Sequence, residues 1–169
     1  MIKNKNFCEK KVMNKDEKWM RIAISEANLA INEDEIPVGA VLIQNGKLIA
    51  KAHNQPIFNH DPTAHAEVEV LRKAGKKLKN YRLSGSTLYV TLEPCIMCLG
   101  AIMHARIDRI VFGASDPKTG VCGSKTDLTS EAFFTHKVKV DGGVLAGENK
   151  KILQSFFKKR RKEINLKTN

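Results

Sequence analysis

His65 and Glu67 stand in "AHAE" at 64–67, and Cys95 and Cys98 stand in "PCIMC" at 94–98. Imidazole and thiolate are donors that zinc prefers. Cys95 and Cys98 are spaced i, i+3, which puts both sulfurs on one face of a helix start. The positive end of that helix favours thiolates. His65 is expected in the first turn of an earlier helix, where a side chain leans back off the helix end. Three protein donors leave a fourth position to water, the arrangement of catalytic rather than structural zinc. A closed structural site is the alternative. Against it, Cys8, Cys122, His53, His60, His104 and His136 form no second paired motif. Glu67 adds a group that structural zinc does not need. Residues i and i+2 point about 200° apart on a helix, so only at a helix end can His65 and Glu67 bend toward one point. A carboxylate there can take a proton from a metal-activated water. Taken singly, each residue has an ordinary reading. A lone CxxC also marks redox sites, and a first-turn Glu also serves the helix dipole. The combination, H-A-E opening one helix and P-C-x-x-C opening the next after a strand, is a specific pattern and favours a metal centre with hydrolytic chemistry over a closed structural site.

The elements that must position these residues can be read from pattern. Asn14 with Glu17 resembles a capping box. The helix that follows carries Trp19, Ala23, Ala27 and Ala30 on one face through Ile31. "PVGAVLIQ" and "KLIAKA" flank Asn45-Gly46, a hairpin signal. A loop over "HNQPIFNHDP" leads to Thr63, the expected N-cap of a helix with Ala64, Val68 and Leu71 in the core, ending near Gly75. "STLYVTL" reads as a strand. A helix follows from about Cys95 to Ala105, then a second strand, "RIVFGA". Residues 115–126 read as a loop, 128–134 as a short helix and "HKVKV" as a fifth strand. The last helix is expected over about 148–165, with Ile152, Leu153, Phe156, Phe157 and Ile164 apolar. Strands alternating with helices after an opening hairpin predict an α/β layer fold.

The chain has 169 residues, the size of one domain, and 42% hydrophobic residues, enough for a core. Residues 1–13 are expected to be a flexible extension and 14–169 a single domain ending in a basic helix. No apolar run is long enough to cross a membrane, and the opening residues are too charged for a signal peptide. A cytoplasmic protein with unpaired thiols is therefore expected. The formal charge is +11, and residues 150–169 hold eight Lys and Arg against Glu163 alone. Such a tail suits a polyanion, or simply solubility. Phe157 and Arg161 are i, i+4, so an aromatic ring and a guanidinium share one side of the helix, with Arg160 beside them. Aromatics stack on bases and arginines clamp phosphates. Phe156 and Phe157 as plain core residues are the alternative; one buried and one facing a ligand would reconcile the two.

The H-x-E and P-C-x-x-C residues resemble the signature of the zinc-dependent cytidine/deoxycytidylate deaminase superfamily. The likeness is greatest to its bacterial tRNA adenosine deaminase branch. It runs over roughly 16–165 through "EIPVGAVL", "HNQPIFNHDPTAHAEVEVLRKAG", "TLYVTLEPCIMCLGAIMHARIDRIVFGASDPKTG" and "SFFKKRRKEI". The resemblance implies a cytidine-deaminase-like three-layer α-β-α fold around a five-stranded mixed sheet. It implies one Zn2+ per chain on His65, Cys95 and Cys98, with Glu67 as proton shuttle to a zinc-bound hydroxide. It implies hydrolysis of adenosine to inosine at the wobble base of a tRNA anticodon stem-loop, by a homodimer. Asn54 would hydrogen-bond the purine, Asp116 would approach the adjoining sugar, and backbone donors near Ala66 would meet developing charge. On their own, Asn54 before Gln55-Pro56 and Asp116 before Pro117 read equally as turn residues. Two other functions remain open: a small-molecule deaminase acting on cytidine, deoxycytidylate or guanine, and a non-enzymatic zinc module that binds RNA.

Overall fold

The computed structural model describes residues 14–167. The extension expected over 1–13, with Cys8, and residues 168–169 lie outside the described residues. Helix α1 (Lys15–Asn32) starts at Asn14, whose side chain accepts from the Asp16 N–H at 3.2 Å. The Asn14 cap thus forms, but through Asp16 rather than a reciprocal pair with Glu17. Strands β1 (Gly39–Gln44) and β2 (Lys47–His53) form the expected hairpin. Asn45 and Gly46 both take positive φ, 51° and 71°, as a two-residue turn matched to strand twist requires.

Residues 53–62 are not all loop. Pro56 opens a one-turn helix, α2 (Pro56–Asn59), whose first position suits a residue with no N–H. Thr63 is not the next cap. Its N–H and hydroxyl both bind Asp61 Oδ1, at 2.8 and 2.7 Å, closing a turn after which the chain stays extended through His65. His65 is the N-cap of α3 (Ala66–Leu78), and Ala64 is buried just ahead of the helix. Helix α3 runs past Gly75 to Lys79, which takes φ 52° while the Asn80 N–H returns to the Gly75 carbonyl.

Strand β3 (Ser86–Leu92), helix α4 (Ile96–His104) and strand β4 (Arg109–Ala114) make a parallel β-α-β unit. Residues 128–134 form turns instead of a helix. Asp127 accepts both the N–H and the hydroxyl of Thr129, a local bond that competes with helix formation. The fifth strand, β5 (Lys139–Asp141), is shorter and later than "HKVKV". Helix α5 spans Ala146–Lys167.

The sheet order is β2-β1-β3-β4-β5, antiparallel in the first two pairings and parallel in the last two. Alternation along the strands divides the core. Val41, Ile43, Tyr89 and Val111 face α1 through Trp19, Met20, Ala23 and Ile24, with Ile152 of α5 on the same side. Ala40, Leu42, Leu88, Val90, Ile110 and Phe112 face α3 and α4 through Val70, Leu71, Leu99 and Ile102. The result is the expected three-layer α/β fold with a five-stranded mixed sheet. No helix is long and apolar enough to cross a membrane among the described residues.

Candidate active site

The centre lies at the carboxyl ends of β3 and β4, where open α/β sheets place their ligands. Two helix starts converge there. His65 is the N-cap of α3 with ψ 152°, and Cys95 is the N-cap of α4 with ψ 173°. The extended cap solves the orientation problem posed by H-x-E. His65 does not share the helical wheel with Glu67, so both side chains turn inward. Cys98 follows one turn into α4. His65 Nδ1 stands 3.8 Å from Cys95 Sγ and 3.5 Å from Cys98 Sγ. One donor atom from each of the three lies within 4.8 Å of the others, and no further His, Cys, Asp or Glu joins them among the described residues.

Glu67 is 4% exposed, beside Cys98. Burial pushes its carboxyl up to about 7. Cys95 is the reverse: the Cys98 thiol donates to it and, with His65 alongside, lowers it to about 4. Cys98 is pushed up by sharing that proton with Cys95. His65 is raised, chiefly by Cys95. An anionic sulfur beside a second thiol and an imidazole nitrogen is the chemistry a zinc ion completes. Cluster size and donor type both fit zinc, and His65, Cys95 and Glu67 line one cavity together.

A cavity of about 570 Å³ opens onto this centre, a volume typical of small-molecule and nucleobase sites. Val38, Leu92 and Leu153 give it apolar walls. Asn54 is buried in its lining, with Oδ1 accepting the Ala66 N–H at 2.8 Å. That bond leaves the Asn54 amide NH2 as the end able to meet a ligand. It also engages the Ala66 N–H, so Ala66 holds Asn54 rather than facing developing charge. Asp116 also lines the cavity, but its carboxylate closes its own turn: Oδ1 accepts from the Lys118 N–H at 2.9 Å and Oδ2 from the Thr119 hydroxyl at 2.6 Å. Of the two tail aromatics, Phe156 is buried and Phe157 is 42% exposed in the cavity wall. Arg160 donates to the Asp34 carbonyl at 2.7 Å and lies over the Phe156 ring, so it ties α5 to the loop after α1. Arg161 borders an adjoining groove of about 1030 Å³ with Lys118, Lys150 and Lys158, and Phe157 lines both cavities.

Three acids that frame the site carry no motif in the sequence: Glu35 and Glu93 are buried, and Glu33 is exposed. Glu35 accepts the Ile57 and Phe58 N–H groups at 2.7 and 2.9 Å, fastening the start of α2. Glu33 accepts from His53 and Gln55, on either side of Asn54. Glu93, directly before Pro94-Cys95, accepts three backbone N–H groups from the loop that carries Asp116.

Residues 13–161 match the MafB19-like deaminase family. The chain is 52% identical to the tRNA-specific adenosine deaminase of Haemophilus influenzae over 88% of its length and 86% of that protein. A solved structure from work on A-to-I editing by tRNA:A34 deaminases at the wobble position of transfer RNA superposes with TM-score 0.79. The identity is 43%, over 80% of this chain and 99% of that one. A guanine deaminase from Bacillus subtilis superposes with TM-score 0.57 and 42% identity over 61% of this chain and 66% of that one. The chain therefore belongs to the MafB19-like deaminase family and groups with the tRNA-specific adenosine deaminases.

Proposed function

We propose that the protein hydrolyses adenosine to inosine at the wobble position of tRNA anticodon loops. The observation that carries this is a His-Cys-Cys donor set with one side left to solvent and a buried glutamate next to it, at the floor of a base-sized cavity. His65, Cys95 and Cys98 hold one zinc ion per chain. Bound zinc supplies Lewis acidity that ionises water near neutral pH. The Asn54 amide NH2 orients the purine ring so that C6 faces the attacking water. Glu67 takes a proton from that water, passes it to ring N1, and helps protonate the amine that leaves as ammonia. The walls of Leu92, Leu153 and Phe157 exclude bulk solvent from the base. Asp116 acts as the turn-forming residue of one wall, adjoining the sugar through that turn.

The base must leave its stack to enter, which is cheap in a single-stranded loop. Lys118, Lys150, Lys158 and Arg161 beside the cavity favour a polynucleotide over a free nucleoside. We propose residues 14–169 as one domain ending in this basic helix. The cytoplasm, where tRNA resides, is the proposed location. A homodimer is supported by the outer face of α4. Leu99, Ile102 and Met103 enter the core, whereas Ile96 stays 67% exposed next to a zinc ligand. A light-scattering mass of two chains is the expected result.

Likeness to a guanine deaminase keeps a second reading in view. Incubation with an anticodon stem-loop, followed by sequencing, is expected to show the wobble adenosine read as guanosine. Ammonia release from guanine or cytidine with none from the RNA would replace the RNA substrate by a free base or nucleoside.

A further inference from the structure

Glu93 is a buried carboxylate, 2% exposed, and none of the ion pairs among the described residues includes it. Removing such a charge from water is costly unless hydrogen bonds replace the hydration. Here backbone amides do so. Oε2 accepts the Asp116 N–H at 3.0 Å, and Oε1 accepts those of Cys122 and Ser124 at 2.9 and 3.0 Å. The donors come from both ends of one loop, 23 to 31 residues away in sequence.

The fold makes room for this contact. A Cβ on Gly120 would stand 2.5 Å from Glu93 Cδ and 2.6 Å from the Asp116 carbonyl oxygen. Only a residue without a side chain lets the carboxylate reach the middle of the loop. The main chain then ties the loop to the metal-binding segment: Val121 N–H donates to the Pro94 carbonyl, and Gly120 pairs with Cys95. Asp116, Pro117, Lys118 and Thr119, held by this clamp, line the same cavity as His65, Cys95 and Glu93.

We infer that Glu93 is a positioning residue: both its carboxylate oxygens are taken up by amides of loop 116–124, and it sets substrate binding through that backbone. The choice of RNA as probe rests on the proposed function; the clamp itself does not. A glutamine at 93 keeps the volume but turns an NH2 toward at least one of the three N–H donors. In zinc-loaded Glu93→Gln, native-state exchange of the Asp116, Cys122 and Ser124 amides is expected to quicken about tenfold, the worth of one charged hydrogen bond. The β3 and β4 amides are expected to keep their protection. Zinc content by elemental analysis should stay at one per chain. With an anticodon stem-loop, KM should rise about tenfold while kcat holds within about twofold.

Gly120→Ala pushes the carboxylate out while leaving Glu93 in place, and it should reproduce both changes. The double variant should be no worse than either single one, because both break the same contact. Glu93→Asp, which keeps the charge with a shorter reach, should fall between wild type and Glu93→Gln. It serves as the test should the amide variant not fold. Unchanged exchange at the three amides, loss of zinc, or a fall in kcat at constant KM would each overturn the inference. Faster exchange in the variant, in a protein whose wild type deaminates no RNA, would remove the substrate reading and leave the clamp standing.

Discussion

Strands β3 and β4 carry an ionic cluster at each end, and the two are built on opposite terms. Near the amino ends, Arg109 donates from both terminal nitrogens to Asp16, at 2.9 Å each, and from Nε to Asp141 at 2.6 Å. The Tyr89 hydroxyl adds a 2.7 Å bond to Asp16. Every strong donor meets an acceptor there, and the Arg109 guanidinium holds the Asp16 carboxyl below its ordinary value. At the carboxyl ends, Glu67 is buried with no Lys or Arg paired to it among the described residues, and burial raises it to about 7. One acid is stabilised as an anion, the other kept close to neutrality and able to exchange a proton. A satisfied cluster contributes stability; an under-satisfied one in a cavity contributes chemistry.

The largest effect that can break this contrast is on catalysis. Glu67→Gln should reduce the deamination rate by about 10²- to 10⁴-fold, the usual worth of a general acid–base group. Zinc content and melting temperature should hold or rise, because the change removes a buried charge and no metal donor. A variant that stays active would show that protons move by another route, and the two clusters would no longer differ in kind.

Arg109→Met tests the other end. It leaves Asp16 part-buried without its bidentate partner, at a cost of about 2–3 kcal/mol, or roughly 5–10 °C in melting temperature for a chain of this size. Zinc content and KM should not change, since Arg109 is at the far end of its strand from Asp116. If activity fell in step with stability at a temperature where the variant is folded, the two ends would be coupled.

The contrast also separates what could be read in the sequence from what could not. Asn45-Gly46, the alternation in "STLYVTL" and the i, i+3 pair Cys95 and Cys98 are local signals, and local structure follows them. His65 with Glu67 and Cys95 with Cys98 each stand at a short local spacing, so the two pairs could be read, and the fold brings the His65, Cys95 and Cys98 donor atoms within 4.8 Å of one another. Thr63 misled because Asp61 competed for its hydroxyl, and only the Asp61-Pro62 turn shows the helix starting at Ala66. The short helix proposed at 128–134 failed for a like reason, through Asp127 and Thr129. Glu93, Glu35 and Arg109 were silent in the sequence. Their partners are backbone amides or acids between 22 and 93 residues away, and no period or motif encodes such pairings. The acid of a motif announces itself, while the acid that holds the motif's walls does not.

The smallest effect is the most discriminating, because the two clusters should respond to pH with opposite sign. Asp16 has a folded pKa below its unfolded value of 3.8. Its share of stability is present above about pH 4 and lost as pH falls through the folded value. Asp16→Asn should therefore be less stable than wild type at neutral pH, by about 1–2 kcal/mol, with the gap closing below about pH 4. Glu67 has a folded pKa raised from 4.5 to about 7. In metal-free protein its ionisation costs stability over that window, and the cost grows as pH rises from 4.5 toward 7. Glu67→Gln should match metal-free wild type near pH 4 and exceed it at pH 7, by about 1–3 kcal/mol. Denaturant melts of both variants across this range, after chelation, measure the two differences directly. Parallel curves would mean that Glu67 is paired in solution and that the carboxyl end is as satisfied as the amino end. Diverging curves place the stability of the fold at one end of the central strands and the cost of its chemistry at the other.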